Sequence, residues 1–148
     1  MPASTPAGLW VIYCDGSAKP NPGRMGLGAV MTEPDGTRRT LSQATRSKGC
    51  NNEAELRALM AALQEVQRRG AAALLVYCDN SILVEQLGLT NAQPIARLAG
   101  LFEEARQLLA SFAHVRLQWL PRHRNEQADA LARAALGIGP KHGAKPSK

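Results

Sequence analysis

The 148-residue chain lacks the features that would send it to a membrane, an export route or a disulfide framework. No apolar run approaches the roughly 20 residues needed to cross a bilayer. The opening "MPASTPAG" carries neither the basic region nor the long apolar segment of a secretory signal, so the cytoplasm is the expected compartment. Cys14, Cys50 and Cys78 are odd in number and show no CxxC or CxxH spacing, which excludes a disulfide set and a zinc site and leaves reduced thiols. Internal repeats and a second compositional regime are also missing. One domain is therefore expected over 9–137, large enough to bury a core unaided, with a disordered stretch at 1–8 and a flexible basic tail at 138–148.

What is present begins with charge. Lys and Arg number 18 against 12 Asp and Glu, a net +6, and discounting Lys141, Lys145 and Lys148 in the tail leaves the excess in place. A polyanionic partner fits that balance.

Periodicity gives the elements. Residues 9–14 read as a strand, "GLGAVMT" as a second, and "RRTLSQA" as a third returning antiparallel after the "EPDGT" turn, to which Asp35 belongs. From Asn51 the apolar spacing becomes helical through Leu56, Leu59, Met60, Leu63 and Val66, predicting a helix over about 52–69. A strand at 74–78, a short helix over 81–87 closed by Gly88, a loop through "LTNAQ" and a long amphipathic helix over "PIARLAGLFEEARQLLASF" follow. "HVRLQWL" alternates as a last strand, and Asn125 is placed to cap a final helix with a stripe of Ala128, Leu131, Ala132, Ala135 and Leu136. An antiparallel meander leading into right-handed crossovers makes an α/β fold with a mixed sheet.

Two apolar runs, "VIYCD" and "LLVYCD", end on Asp15 and Asp79. Ligands of open α/β sheets gather at such strand ends. Either acid alone reads as a turn or cap residue; two at equivalent ends point to a site. If the strands are neighbours, alternation puts Cys14 and Cys78 on the opposite face as small core residues. On a helical wheel Glu55 falls among Ala58, Leu59, Ala62 and Val66, inside the apolar arc, whereas Glu53 falls with Arg57 and Gln64 on the wet side. A carboxylate on the buried side needs a partner, and a cation shared with Asp15 and Asp79 serves. Asp129, in the first turn of the last helix, is either a fourth member or a helix-start acid. Oxygen ligands without thiolates or a His pair point to magnesium, with manganese as a substitute. Two such ions suit hydrolysis of a phosphodiester.

Taken together, "DGSAKPNPGRMGLGAV", "NNEAEL", "YCDN" and "NEQADALAR" resemble the motifs of the type 1 ribonucleases H, in the compact form without a basic protrusion. The resemblance covers about 9–137. It implies a five-stranded mixed sheet, three antiparallel strands then parallel ones, flanked by helices. It also implies an endonuclease that cuts the RNA strand of RNA/DNA hybrids with two metal ions, leaving 5'-phosphate and 3'-hydroxyl ends. Asp15, Glu55, Asp79 and Asp129 become the metal ligands, with Asp15 shared between the ions. Ser17, Asn21, Asn51, Asn52 and Ser81 become substrate contacts, the asparagines facing the 2'-hydroxyls. For Asn21, turn formation stands as an equal alternative.

The chain departs from the family pattern in three places. Cys50 stands where many members place a Thr that helps hold a DNA phosphate, and a thiol is a poor donor. "LGLTNAQPIARL" replaces a longer basic insertion, so affinity rests on Arg122, Arg124 and scattered bases, unless these are plain surface charge. The loop before Asp129 is compact, leaving His123 either an aid to water activation and product release or an exposed loop residue. Proofreading exonucleases on this fold carry a second acid two residues after the first, where this chain has Ser17. A hybrid- or RNA-binding module that no longer cleaves is the competing reading, and a monomer without an obligate protein partner is the expected state.

Overall fold

The structure, a computed structural model, describes residues 8–88 and 96–139. The expected disordered ends, apart from Gly8, Ile138 and Gly139, lie outside those residues, as do the loop at 89–93 and the first two residues of the helix expected from Pro94.

Five strands form one sheet: β1 (Leu9–Lys19), β2 (Gly23–Thr32), β3 (Arg38–Gly49), β4 (Ala73–Cys78) and β5 (His114–Trp119), in the order β3-β2-β1-β4-β5. The first three are antiparallel, while β4 and β5 run parallel to β1. Among the described residues four helices flank the sheet: α1 (Asn51–Arg68), α2 (Ser81–Gly88), α3 (Ala99–Ala110) and α4 (Glu126–Ala135), with 3-10 turns at Ala96–Leu98 and Arg122–Arg124.

The alternation of β1 sorts its residues to two faces. Ile12 and Cys14 enter the core beneath α1, where Cys78, Val76, Leu59 and Val66 also pack, so both thiols are buried opposite the acids as expected. On the other face α4 lies directly on the sheet, because Gly28 stands opposite Asp15 and offers no side chain. A Cβ there would sit 2.3 Å from the Ala128 carbonyl oxygen. Gly16 does the same for α1: a Cβ would lie 2.2 Å from the Ala54 carbonyl carbon. These two close approaches bring the helices carrying Asp129 and Glu55 to either side of Asp15.

Three expectations need correction. Asp15 does not end its strand: pairing with β4 stops at Cys14↔Cys78, but pairing with β2 continues to Lys19↔Arg24. The acid therefore sits inside β1 where one neighbouring strand has run out. The third strand reaches Gly49, five residues beyond "RRTLSQA", across a register shift between Arg24 and Gly26. The long helix ends at Ala110, before Phe112, because Ser111 Oγ donates to the Leu108 carbonyl at 2.6 Å and closes its last turn.

Candidate metal centre and substrate cleft

Three acids converge where β4 falls away from β1. Asp15 is only 6% exposed, Glu55 arrives from the second turn of α1, and Asp79 follows the last residue of β4. One carboxylate oxygen from each lies within 4.8 Å of the others. Asp129 lines the same cleft, of about 610 Å³, but stands outside that tight group.

No ion pair among the described residues involves any of these four acids. Burial, then repulsion from Asp79, Glu55 and Asp129, pushes the Asp15 carboxyl up to about 10. Burial and Asp79 also raise Glu55, against the lowering effect of an Asn80 hydrogen bond and the nearby Arg122 charge. Instead of cations, the carboxylates hold neutral donors. Gly16 N donates to Asp15 Oδ1 at 2.9 Å, Asn80 Nδ2 to Glu55 Oε1 at 2.5 Å, and Asn125 Nδ2 to Asp79 Oδ2 at 2.8 Å.

Ser17, Asn21, Asn51, Asn52 and Ser81 all line the cleft, and so does Arg122. The asparagines are first of all structural. Asn21 Oδ1 accepts from Asn51 N at 3.0 Å and Asn51 Oδ1 from Ala18 N at 2.8 Å, tying the β1–β2 loop to the start of α1. Asn52 Oδ1 accepts from Asn80 Nδ2 at 2.7 Å. Each of the three thus uses its carbonyl oxygen internally, and its amide nitrogen makes no hydrogen bond among the described residues.

His123 and Arg124 are exposed on the 3-10 turn and line a different hollow, beside Tyr13, from the cleft that holds the four acids. Glu53, expected on the wet side, has a side chain only 13% exposed and is paired with Arg57 at 2.8 Å. The longer β3 explains this, since Gly49 at its end packs against the Glu53 carboxylate.

Sequence reasoning missed several neighbours. Asn125 holds the N-cap position of α4 as expected, but its side chain makes no capping bond: it is 1% exposed, and its Nδ2 also donates to the Cys14 carbonyl at 2.9 Å. Asn80 follows Asp79 directly and precedes a helix, so a cap signal was there but its second contact was not. Cys50 caps α1 by accepting from Glu53 N at 3.4 Å, and Arg97 Nη2 donates to its sulfur at 3.1 Å. Burial opposes ionisation of this thiol, but the Arg97 contact and helix-start amides prevail and hold it below its usual value. Arg97 lies 47 residues away, beyond any local pattern. Lys19 and Arg133 complete the basic margin of the cleft.

The family described as reverse transcriptase-like matches residues 13–135. The ribonuclease H of Nitrosococcus oceani is 32% identical over 146 residues, covering 86% of this chain and 94% of that protein. This chain belongs to the ribonuclease H family. Its sheet order and flanking helices are those of the ribonuclease H1 fold: the crystal structure of RNase H1 from Halobacterium salinarum superposes with a TM-score of 0.81 at 31% identity, covering 88% of this chain and 98% of that one. LC11-RNase H1, solved in complex with an RNA/DNA hybrid, gives a TM-score of 0.76 at 27% identity over 86% of this chain and 96% of its own. The chain spans about a third, 35%, of the length of the Mycobacterium tuberculosis relative it matches, a protein named as bifunctional. No helix among the described residues is long and apolar enough to cross a membrane.

Proposed function

We propose that this chain is an endoribonuclease that hydrolyses the RNA strand of RNA/DNA hybrids with the help of two divalent cations, leaving 5'-phosphate and 3'-hydroxyl ends. The observation that carries the reading is the trio of Asp15, Glu55 and Asp79, gathered within 4.8 Å with no ion pair to any of them among the described residues. The donor set fits hard ions: it is all oxygen, and burial together with repulsion from the neighbouring acids raises the Asp15 carboxyl, a cost that a divalent cation would relieve. Magnesium is the natural occupant and manganese a substitute. Asp15, Glu55, Asp79 and, from α4, Asp129 are the residues that would hold the ions, with Asp15 central to both. Bound there, a cation pair stabilises charge on the attacking and leaving oxygens of a phosphodiester.

The remaining roles belong to the cleft walls. The amide nitrogens of Asn21, Asn51 and Asn52, with Ser17 and Ser81, offer donors to a 2'-hydroxyl, a group only the RNA strand provides. Arg122, close enough to Glu55 to act on its ionisation, is placed to meet a phosphate at the cleft margin. A relative of the same fold binds an RNA/DNA hybrid, which supports that substrate over either pure duplex.

The test is strand-resolved cleavage of labelled hybrid, duplex DNA and duplex RNA in Mg²⁺, with and without EDTA. Loss of the hybrid's RNA strand alone, abolished by EDTA, is expected. Hybrid binding without cleavage in either Mg²⁺ or Mn²⁺ would replace the enzyme with a binding module.

A further inference from the structure

We propose that Asn80 and Asn125 are positioning residues that pre-set the Glu55 and Asp79 carboxylates for divalent-ion uptake by holding each with a neutral N–H donor. The inference rests on the cation site proposed above and extends it to two side chains that line up the acids without ligating anything themselves.

The orientation of each amide is fixed by its other contacts. Asn80 Oδ1 accepts from Ile82 N at 2.9 Å and Leu83 N at 3.2 Å, capping α2. Its nitrogen is therefore forced toward Glu55, and the same nitrogen reaches the Asn52 oxygen. One side chain thus links the start of α2, a cleft-lining asparagine and an acid. Asn125 is turned by two acceptors, the Cys14 carbonyl and Asp79 Oδ2, so a flipped amide would oppose oxygen to oxygen on both. Its own Oδ1 is buried without a partner among the described residues, a cost accepted to keep the nitrogen where it is. The backbone adds a third tie, since Asp129 N donates to the Asn125 carbonyl at 3.1 Å. Asn125 therefore joins the residue before Asp15, the carboxylate of Asp79 and the turn that carries Asp129.

Neutrality is the point of the choice. A lysine or arginine in either position would orient the acid equally well but would cancel the negative field that draws a cation. An aspartate would reverse the donor. An amide fixes a carboxylate and leaves its charge intact.

The experiment compares wild type with Asn80→Ser, which keeps a capping oxygen but is too short for Glu55, and with Asn125→Ala. Mn²⁺ affinity is measured by calorimetry without substrate, Tm without metal, and kcat and KM for hybrid across a Mn²⁺ series. Each substitution is expected to weaken Mn²⁺ binding by about 10- to 100-fold. At fixed low Mn²⁺ kcat falls by a similar factor, excess Mn²⁺ restores it, and KM stays within about two-fold. A purely structural role would lower Tm and leave Mn²⁺ affinity of the folded protein unchanged, which overturns the proposal. Should Asn125→Ala fail to fold, Asn80→Ser decides alone. A wild type that takes up no Mn²⁺ sinks both proposals; a wild type that binds Mn²⁺ with the expected variant losses but spares the hybrid sinks only the proposed function.

Discussion

The two ends of α1 carry glutamates in opposite circumstances. Glu65, near the carboxyl end, is held by Arg68 at 2.7 Å and Arg69 at 2.6 Å, and these cations draw its carboxyl below the usual range. Glu55, near the amino end, meets no cation in an ion pair; an amide holds it, and burial drives its carboxyl up. The helix scaffold is the same and the residue type is the same. One acid is neutralised by its own helix, and the other is left with a debt of charge beside two more. An acid that the fold buries without an ion pair is a candidate for binding something from outside the chain.

The sharpest way to break this contrast is at its centre. Asp15→Asn removes the most repelled carboxylate, so cleavage of hybrid is expected to fall on the order of 10³-fold or more. Metal-free Tm should meanwhile rise by about 3–6 °C, because the cost of keeping that buried carboxyl protonated is removed. An assay with matched melts checks both signs at once. Gly16→Ala comes next: the added carbon meets the Ala54 backbone at 2.2 Å, so α1 must back away from Asp15. A loss of about 1–3 kcal/mol by denaturant titration is expected, along with weakened cation binding.

A third test uses pH. Folded Asp15 keeps a proton that unfolded Asp releases near pH 3.9, so between there and about 10 the folded state binds more protons. Stability of the metal-free protein should accordingly fall as pH rises across that window, and Glu55 adds in the same direction. Glu65, partly exposed, and Asp35, fully exposed, are lowered instead; they act with the opposite sign and are screened by solvent. Melts at pH 5 and pH 8 should show the slope in EDTA and its flattening in Mn²⁺. A smaller effect is expected of His123→Ala, with turnover within about three-fold of wild type, since His123 lines a different hollow from the cleft that holds the acids. Smallest of all is Glu65→Gln: unchanged cleavage and a Tm shift under about 2 °C. A large activity loss there would erase the distinction between the two ends.

Much of this was legible from periodicity. The switch from alternating to helical spacing at Asn51 located α1 to within one residue, and the wheel put Glu55 on the inner side. Local pattern failed where the decisive partner was distant. Asp15 looked like a strand end because β4, which stops at Cys78, is invisible from residues 9–15; only β2 carries β1 onward. Glu53 looked wet because the wheel knows nothing of Gly49 packing over it. Asn125 does stand at the cap of α4, but its side chain serves Cys14 and Asp79, which lie 111 and 46 residues away. Of the two glycines that admit the helices, Gly28 read in sequence only as a strand residue and Gly16 fell just past the expected first strand, although their lack of a side chain decides how near the acids come.

The most direct test is an anomalous difference map from a crystal of this chain soaked in Mn²⁺. Density bridging the carboxylates of Asp15, Glu55 and Asp79 is the expected result. A map with manganese only at other surface acids, and none between those three under saturating soak, would contradict the account.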